Sequence, residues 1–264
     1  MSETKKYRCF RYLIYTLAAL GVLSLTVVFV LLRLSVVTDH LYSALVKDPE
    51  RHAPPGQVLV APADGTVLYV RRVRDGVIPE IVKRGVAVPV DYHLRVQPQR
   101  QVRDGYLIGI YMNTHGVHIN RAPLAGELVQ QTVYNGPHMD MTRAESRIIL
   151  AQLIPGWVSL KKFLGFAPYN IEDDADFILK SARETLAIRD VRGQYVYVTR
   201  IADYYVGRIL TWVREGQSLS TGDKLGMITW GSQTDVLIEA SPTLQITVDV
   251  GDHVYAGESV LATY

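Results

Sequence analysis

Three short pieces of this chain set reactive side chains beside residues that shape the backbone: Asp64-Gly65, the histidines His115 and His118, and Gly231-Ser232. A serine hydroxyl is a poor nucleophile at its own pKa and needs a neighbouring base, itself oriented by a third group. Imidazole titrates near neutrality and serves equally as base or acid. Taken singly, each piece is commonplace. Asp-Gly is a turn dipeptide, a strand histidine is most often a structural residue with satisfied hydrogen bonds, and Gly-Ser is ordinary turn chemistry. Other chemistries lack their signatures: there is no zinc-protease histidine pair, no phosphate loop with lysine and no dinucleotide fingerprint. The single cysteine, Cys9, excludes an intramolecular disulfide and a multi-cysteine zinc cluster. The histidines at 40, 52, 93, 138 and 253 show no metal-ligand spacing and receive no role. With 28 Lys and Arg against 26 Asp and Glu, and no basic block, nothing supports a nucleic-acid partner.

The pieces gain weight from their company. Lys47-Asp48-Pro49-x-Arg51 precedes Ala61-Pro62-Ala63-Asp64-Gly65-Thr66-Val67. Met112-Asn113 leads to Val117-His118-Ile119-Asn120-Arg121-Ala122-Pro123-x-x-Gly126. Ile201-Ala202 and Arg208-Ile209 follow, and Gly226-Met227-Ile228-x-x-Gly231-Ser232-x-x-Asp235-Val236 comes last. In this order and at these distances they resemble the phosphatidylserine decarboxylases, most like their short form, from about Lys47 to the C-terminus.

That resemblance implies an enzyme that makes its own prosthetic group. Ser232 Oγ attacks the Gly231 carbonyl, turning the peptide bond into an ester. β-Elimination then leaves dehydroalanine, which hydrolyses to a pyruvoyl group with loss of ammonia. Gly231, without a Cβ, lets the backbone take the strained shape this attack requires. On the same footing Asp64 belongs to the self-cleavage machinery as the candidate orienting carboxylate. His118 is the acid that protonates carbon after CO2 has left. The pyruvoyl group holds the substrate amine and is the electron sink that a bound cofactor would otherwise supply; no metal is involved. The implied substrate is phosphatidylserine, converted to phosphatidylethanolamine, or a related serine phospholipid such as an archaeal ether lipid. The two cleavage chains form a heterodimer. Some positions depart from the family pattern. Arg121 stands where longer members carry a second histidine, as in the short form, and Gly116 stands where short members have aspartate. Gln233 replaces a common arginine, Trp230 a phenylalanine, and residues 182–185 match an Asn-Glu-Arg-Asn element only loosely. The cleavage base stays open between His115 and His118.

The elements that must position these residues read as β structure. Short apolar runs such as QVLVAP, GTVLYV, YLIGIYM, QYVYVTRIA and DVLIEA are punctuated by Gly, Pro and Asp, as in a sandwich or barrel. Val213-x-x-Gly216-x-x-Leu219-x-x-Gly222 recurs 35 residues later as Val248-x-x-Gly251-x-x-Val254-x-x-Gly257. Ala61-Pro62-x-x-Gly65 is echoed 61 residues later by Ala122-Pro123-x-x-Gly126. The repeats look like the barrel-sandwich hybrid of biotinyl and lipoyl carriers, yet the segment between them, 227–236, has no lysine to modify. The expected fold is therefore mainly β (α+β): a barrel-sandwich hybrid-like domain with a small helical insertion, its helices around 142–153 and 157–164, preceded by one transmembrane helix.

Residues 12–32 carry no charge and lie between Arg11 and Arg33. As a helix they would be about 31 Å long, the thickness of a bilayer core. The expected organisation is a basic stub at 1–11, a transmembrane helix at 12–33, a linker at 34–56 and a decarboxylase domain at 57–264. Single-pass anchoring in the cell membrane follows. Lys5, Lys6, Arg8 and Arg11 precede the span, against Arg33, Lys47 and Arg51 at or beyond its far end, which favours a cytoplasmic N-terminus by a small excess. A lipid substrate calls for an apolar entry near the bilayer. In 149–169, Trp157 and Phe163 with Lys161 and Lys162 suit an interfacial segment, as they equally suit a helix packed on the domain. A non-catalytic membrane adaptor would explain anchor and repeats, but gives no reason for Asp64, His118 and Gly231-Ser232 together.

Overall fold

The computed structural model describes residues 12, 14–33, 47–82, 86–98, 101–112, 116–137, 180–202, 208–229 and 232–264. The stub at 1–11 and the helical stretches expected within 140–164 lie outside them. Two compact units divide the chain, Met1–Ala44 and Leu45–Tyr264. In the first, helix α1 (Ile14–Arg33) is long and apolar enough to cross a membrane. Thr16 and Thr26 donate their hydroxyls to the carbonyls of Tyr12 and Val22, so these polar side chains are satisfied within the helix, as a lipid environment demands.

The second unit is mainly β, as its punctuated apolar runs imply. Its strands are β1 (Val58–Val60), β2 (Gly65–Val73), β3 (Val77–Val82) and β4 (Val86–Pro89), followed by the one-turn helix α2 (Val90–Leu94). Then come β5 (Gly105–Met112), β6 (Ile119–Arg121), β7 (Gly126–Tyr134), β8 (Arg183–Arg189), β9 (Tyr195–Ala202) and β10 (Ile209–Thr211). The chain closes with β11 (Ser218–Leu219), β12 (Lys224–Ile228), β13 (Ser232–Glu239), β14 (Gln245–Ile246), β15 (His253–Val254) and β16 (Val260–Thr263).

Eight of these form one sheet in the order β11-β7-β8-β9-β13-β5-β2-β15, every pairing antiparallel. Strand β13 sits inside it and is buried on both faces. Val236 and Ile238 pack with Ile108, Ile110, Val196 and Val198 on one side. Leu237 packs with Leu107, Tyr111, Tyr197 and Ile201 on the other. Each such side chain withdrawn from water contributes roughly 1.5–3 kcal/mol, which makes β13 a firmly held frame for any residue it carries.

The sequence repeats are realised as two matching sets of strands. β11 pairs with β7, Leu219 opposite Gly126, just as β15 pairs with β2, Val254 opposite Gly65. Likewise β12 pairs with β6, and β16 with β1, in two three-stranded sheets ordered β10-β12-β6 and β1-β16-β14. Gly216 N–H donates to Leu128, and its repeat mate Gly251 donates to Val67. Each C-terminal repeat thus completes one N-terminal half.

Candidate active site

Ser232 begins β13, its backbone paired with Met112 of β5 on one side and Ala202 of β9 on the other. The residue ahead of it, Gly231, and Trp230 lie outside the described residues, as do His115, Trp157, Lys161, Lys162 and Phe163.

His118 immediately precedes β6 and is fully buried. Its own carbonyl accepts from the Ile228 amide, which fixes its backbone against β12. The ring Nδ1 lies 2.8 Å from the Gly116 carbonyl. A carbonyl only accepts, so Nδ1 carries the hydrogen and a neutral ring has its lone pair on Nε2. Among the described residues that Nε2 has no partner, and it is buried. Burial pushes the His118 pKa below the ordinary 6.5, with the Gly116 bond acting the other way. The ring is therefore held neutral with a bare nitrogen, the form of a general base.

Two residues on, Asn120 donates its amide to Thr234 Oγ1 at 3.1 Å, and Thr234 stands two residues after Ser232 on β13. This bond ties the start of β6 to the start of β13. Asn120 Oδ1 is likewise buried and has no partner among the described residues. Opposite Thr234 in register stands Arg200 of β9, and opposite Arg200 stands Glu184 of β8. The two form a buried ion pair, completed by Thr211, which donates to Glu184 at 2.7 Å. Burial lowers the Arg200 pKa to about 9. Glu184 lies in the loosely matching 182–185 element, whose sequence alone carries no sign of this pairing.

Asp64 occupies the turn before β2 and is held from two sides. Oδ2 accepts from Arg51 at 2.7 Å, and Oδ1 from the Ala256 amide at 2.8 Å. Arg51 also reaches Glu258 at 2.6 Å and lies over the Tyr255 ring. Burial raises the Asp64 pKa above 3.8, while the Ala256 amide and Arg51 pull it back. The neighbouring Gly65 is pressed onto the end of β5; a Cβ there would overlap the Tyr111 carbonyl oxygen. Thr66 and Gln233 both face Tyr111 in register, so Gly65 and residue 232 stand on one row, two strands and about 10 Å apart. Asp64 and His118 thus belong to one end of the sheet system, but their hydrogen bonds go to Arg51 and Gly116, not to each other.

On the other face of β13 lies a cluster that sequence reasoning missed. His93, given no role above, meets Asp235 at 2.8 Å with both side chains buried. The partners are 142 residues apart, and no local spacing announces the pair. Among the described residues no group of three or more His, Cys, Asp or Glu gathers as a metal site.

A mainly β domain with Asp64 and His118 held near one end of its sheets defines a class once its relatives are known. Residues 39–262 match the family described as phosphatidylserine decarboxylase, which makes the protein a carboxy-lyase. More particularly, the chain belongs to the phosphatidylserine decarboxylase family. A protein described as an archaetidylserine decarboxylase proenzyme, from Methanocaldococcus jannaschii, is 33% identical over 82% of this chain and 86% of its own length. A phosphatidylserine decarboxylase proenzyme of Syntrophus aciditrophicus is 25% identical over 83% of this chain and 77% of its own. A third relative, described as an archaetidylserine decarboxylase proenzyme of Methanococcoides burtonii, is 30% identical over 60% of this chain and 59% of its own.

Proposed function

We propose that this membrane-anchored chain cuts itself between Gly231 and Ser232 and then decarboxylates phosphatidylserine to phosphatidylethanolamine. The observation that carries the reading is His118: a buried, neutral imidazole with a bare Nε2, fastened through Asn120 and Thr234 to the strand that begins at Ser232. In maturation Ser232 Oγ adds to the Gly231 carbonyl carbon and its proton passes to a base, for which His118 has the right protonation state. The Gly231–Ser232 amide becomes an ester, elimination releases the Gly231 carboxylate as a new C-terminus, and hydrolysis of the dehydroalanine expels ammonia. A pyruvoyl group at 232 supplies the electron sink for loss of the substrate carboxylate. The residues present fit such a group: strand pairing on both sides grips position 232, Asn120 Oδ1 can accept a hydrogen bond, and His118 Nε2 can take up or deliver a proton. After CO2 leaves, His118, protonated from solvent, delivers a proton to the carbon that carried it. Asp64, gripped by Arg51, acts in the cleavage step. The two product chains stay together as a heterodimer, because β13 is hydrogen-bonded to β5 and β9 along its whole length.

Purified protein resolved by denaturing electrophoresis and intact mass tests this directly. The expected result is one chain ending at Gly231 and a second comprising 232–264 with a borohydride-reducible carbonyl at its start. Ser232→Ala should stay in one piece and be inactive. An uncut wild type that still decarboxylates lipid overturns the proposal.

The relatives favour one variant of the substrate. Two of the three are described as acting on archaetidylserine, at 33% and 30% identity against 25% for the phosphatidylserine relative. Both lipids carry the same serine headgroup, so the chemistry at residue 232 is unchanged and discrimination must lie in the glycerol and chain contacts. Parallel kcat/KM values on the two lipids decide which one the protein serves.

A further inference from the structure

Strand alternation sends Gln233 and Asp235 to the side of β13 opposite Thr234 and Val236. There they enter a fully buried polar network inside an otherwise apolar core. Asp235 Oδ2 accepts from the Tyr69 hydroxyl and from His93 Nε2, each at 2.8 Å, and Oδ1 accepts from the Gln233 amide at 2.6 Å. Gln233 also donates to Tyr69. The surroundings are Leu107, Tyr111, Tyr197, Ile201 and Leu237. His93 in turn is fixed through its backbone, since Arg183 Nη1 donates to the His93 carbonyl and Thr185 to that of Leu94. Burial lowers the Arg183 pKa to about 10. Three stretches of chain, β2, α2 and β13, meet at one carboxylate, and β8 holds α2 through its backbone.

For stability alone this is a poor solution. Well-packed apolar side chains of the same volume are commonly as stable as a buried polar cluster or more so, and a buried carboxylate is costly unless every bond is made. What such a network does supply is a unique placement of the groups it joins. Its location gives that placement a use. The proposed cut turns residue 232 into a chain terminus, and termini fray unless tied down. The first two side chains behind this terminus that leave the reacting face are Gln233 and Asp235.

We propose that the network of His93, Tyr69, Gln233 and Asp235 is a clamp that holds the newly made end at residue 232 in position for decarboxylation, with His93 and Asp235 as positioning residues. The inference rests on residue 232 being the working terminus, as read above. A misplacement of about 1 Å at a reacting centre is enough to lower a rate about 100-fold. The clamp touches neither lipid nor reacting atoms, so its loss acts on turnover and leaves substrate binding alone.

The test uses the full-length protein with four variants: His93→Leu, His93→Gln, Asp235→Asn and Tyr69→Phe. Cleaved fraction, carbonyl content, melting temperature, and kcat and KM on micellar phosphatidylserine are measured, with kcat expressed per carbonyl-bearing molecule. His93→Leu and Asp235→Asn should lower that kcat about tenfold or more while KM stays within about twofold. His93→Gln, whose amide can donate from the place of Nε2, should recover most of the loss. Tyr69→Phe removes a single hydroxyl and supplies the answer should the harsher variants fail to fold; it should show a smaller fall of the same kind. A cleaved, active wild type alongside Tyr69→Phe and His93→Gln of unchanged kcat, with a His93→Leu that is merely less heat-stable, overturns the clamp alone. An uncut, inactive wild type overturns the clamp together with the functional reading.

Discussion

On the proposed reading His118 is a base while the chain matures and an acid while it turns over, two roles with opposite pH demands. Burial holds its pKa below 6.5, so the neutral base form prevails at neutrality and the acid form is a minority. With matured enzyme, turnover should therefore rise as pH falls through the range below 6.5, because protonated imidazole is what delivers the proton. His118→Ala should lower kcat about 10²–10⁴-fold and abolish that pH limb; a limb that survives the substitution assigns the acid to another group. Asp64 carries a second pH signature. Its pKa is raised by burial and restrained by the Ala256 amide and Arg51, with His253 also pulling it down. Arg51→Met removes one restraint, so the pKa climbs further and less carboxylate is present at a given pH. Self-cleavage followed by gel should show its acid limb displaced to higher pH, with recovery toward the wild-type rate on the alkaline side. A uniform slowing at every pH means that Arg51 only fastens the segment around it.

The close approach of β2 to β5 is what brings the Asp64 turn to the row of residue 232, and Gly65 makes it possible. Adding a methyl at Gly65 meets the Tyr111 carbonyl and the Ile110 side chain. Gly65→Ala should force the start of β2 outward at a cost of about 1–3 kcal/mol, lowering the melting temperature by a few degrees. Cleavage should slow by more than this stability loss explains, since Asp64 is carried along; a destabilised but normally maturing variant would detach Asp64 from the chemistry. The sequence announced much of this frame. Gly65 and Gly126, and the two C-terminal repeats, stand at the offsets that the paired strands later occupy, because tight turns leave local and repeated marks. Strand order left no such mark. That β13 lies between β5 and β9, or that His93 reaches Asp235, depends on contacts far apart in the chain, and a single histidine on a one-turn helix looks like any other. The Arg51–Asp64 pair falls between these cases: both residues belong to quoted motifs, but spacing alone does not reveal a salt bridge.

The chain is two units, and the proposed chemistry falls in one of them: Asp64, His118 and Ser232 all lie within Leu45–Tyr264, whereas α1 belongs to Met1–Ala44. The proposed maturation is a reaction of the chain with itself and would ask nothing of a membrane. Turnover asks for a lipid headgroup, and a protein confined to the bilayer surface meets lipid at a far higher effective concentration than one in solution. Removal of residues 1–33 should therefore separate the two reactions. The shortened protein is expected in the soluble fraction, cleaved at a rate within about twofold of the full chain and about as active on micellar substrate, because its own core is intact. On vesicles its turnover should fall about tenfold or more, through the lost surface residence. A shortened chain that stays uncut would make α1 part of maturation. Undiminished turnover on vesicles would locate membrane affinity in the β unit itself, and Trp157 and Phe163 would be the first residues to substitute.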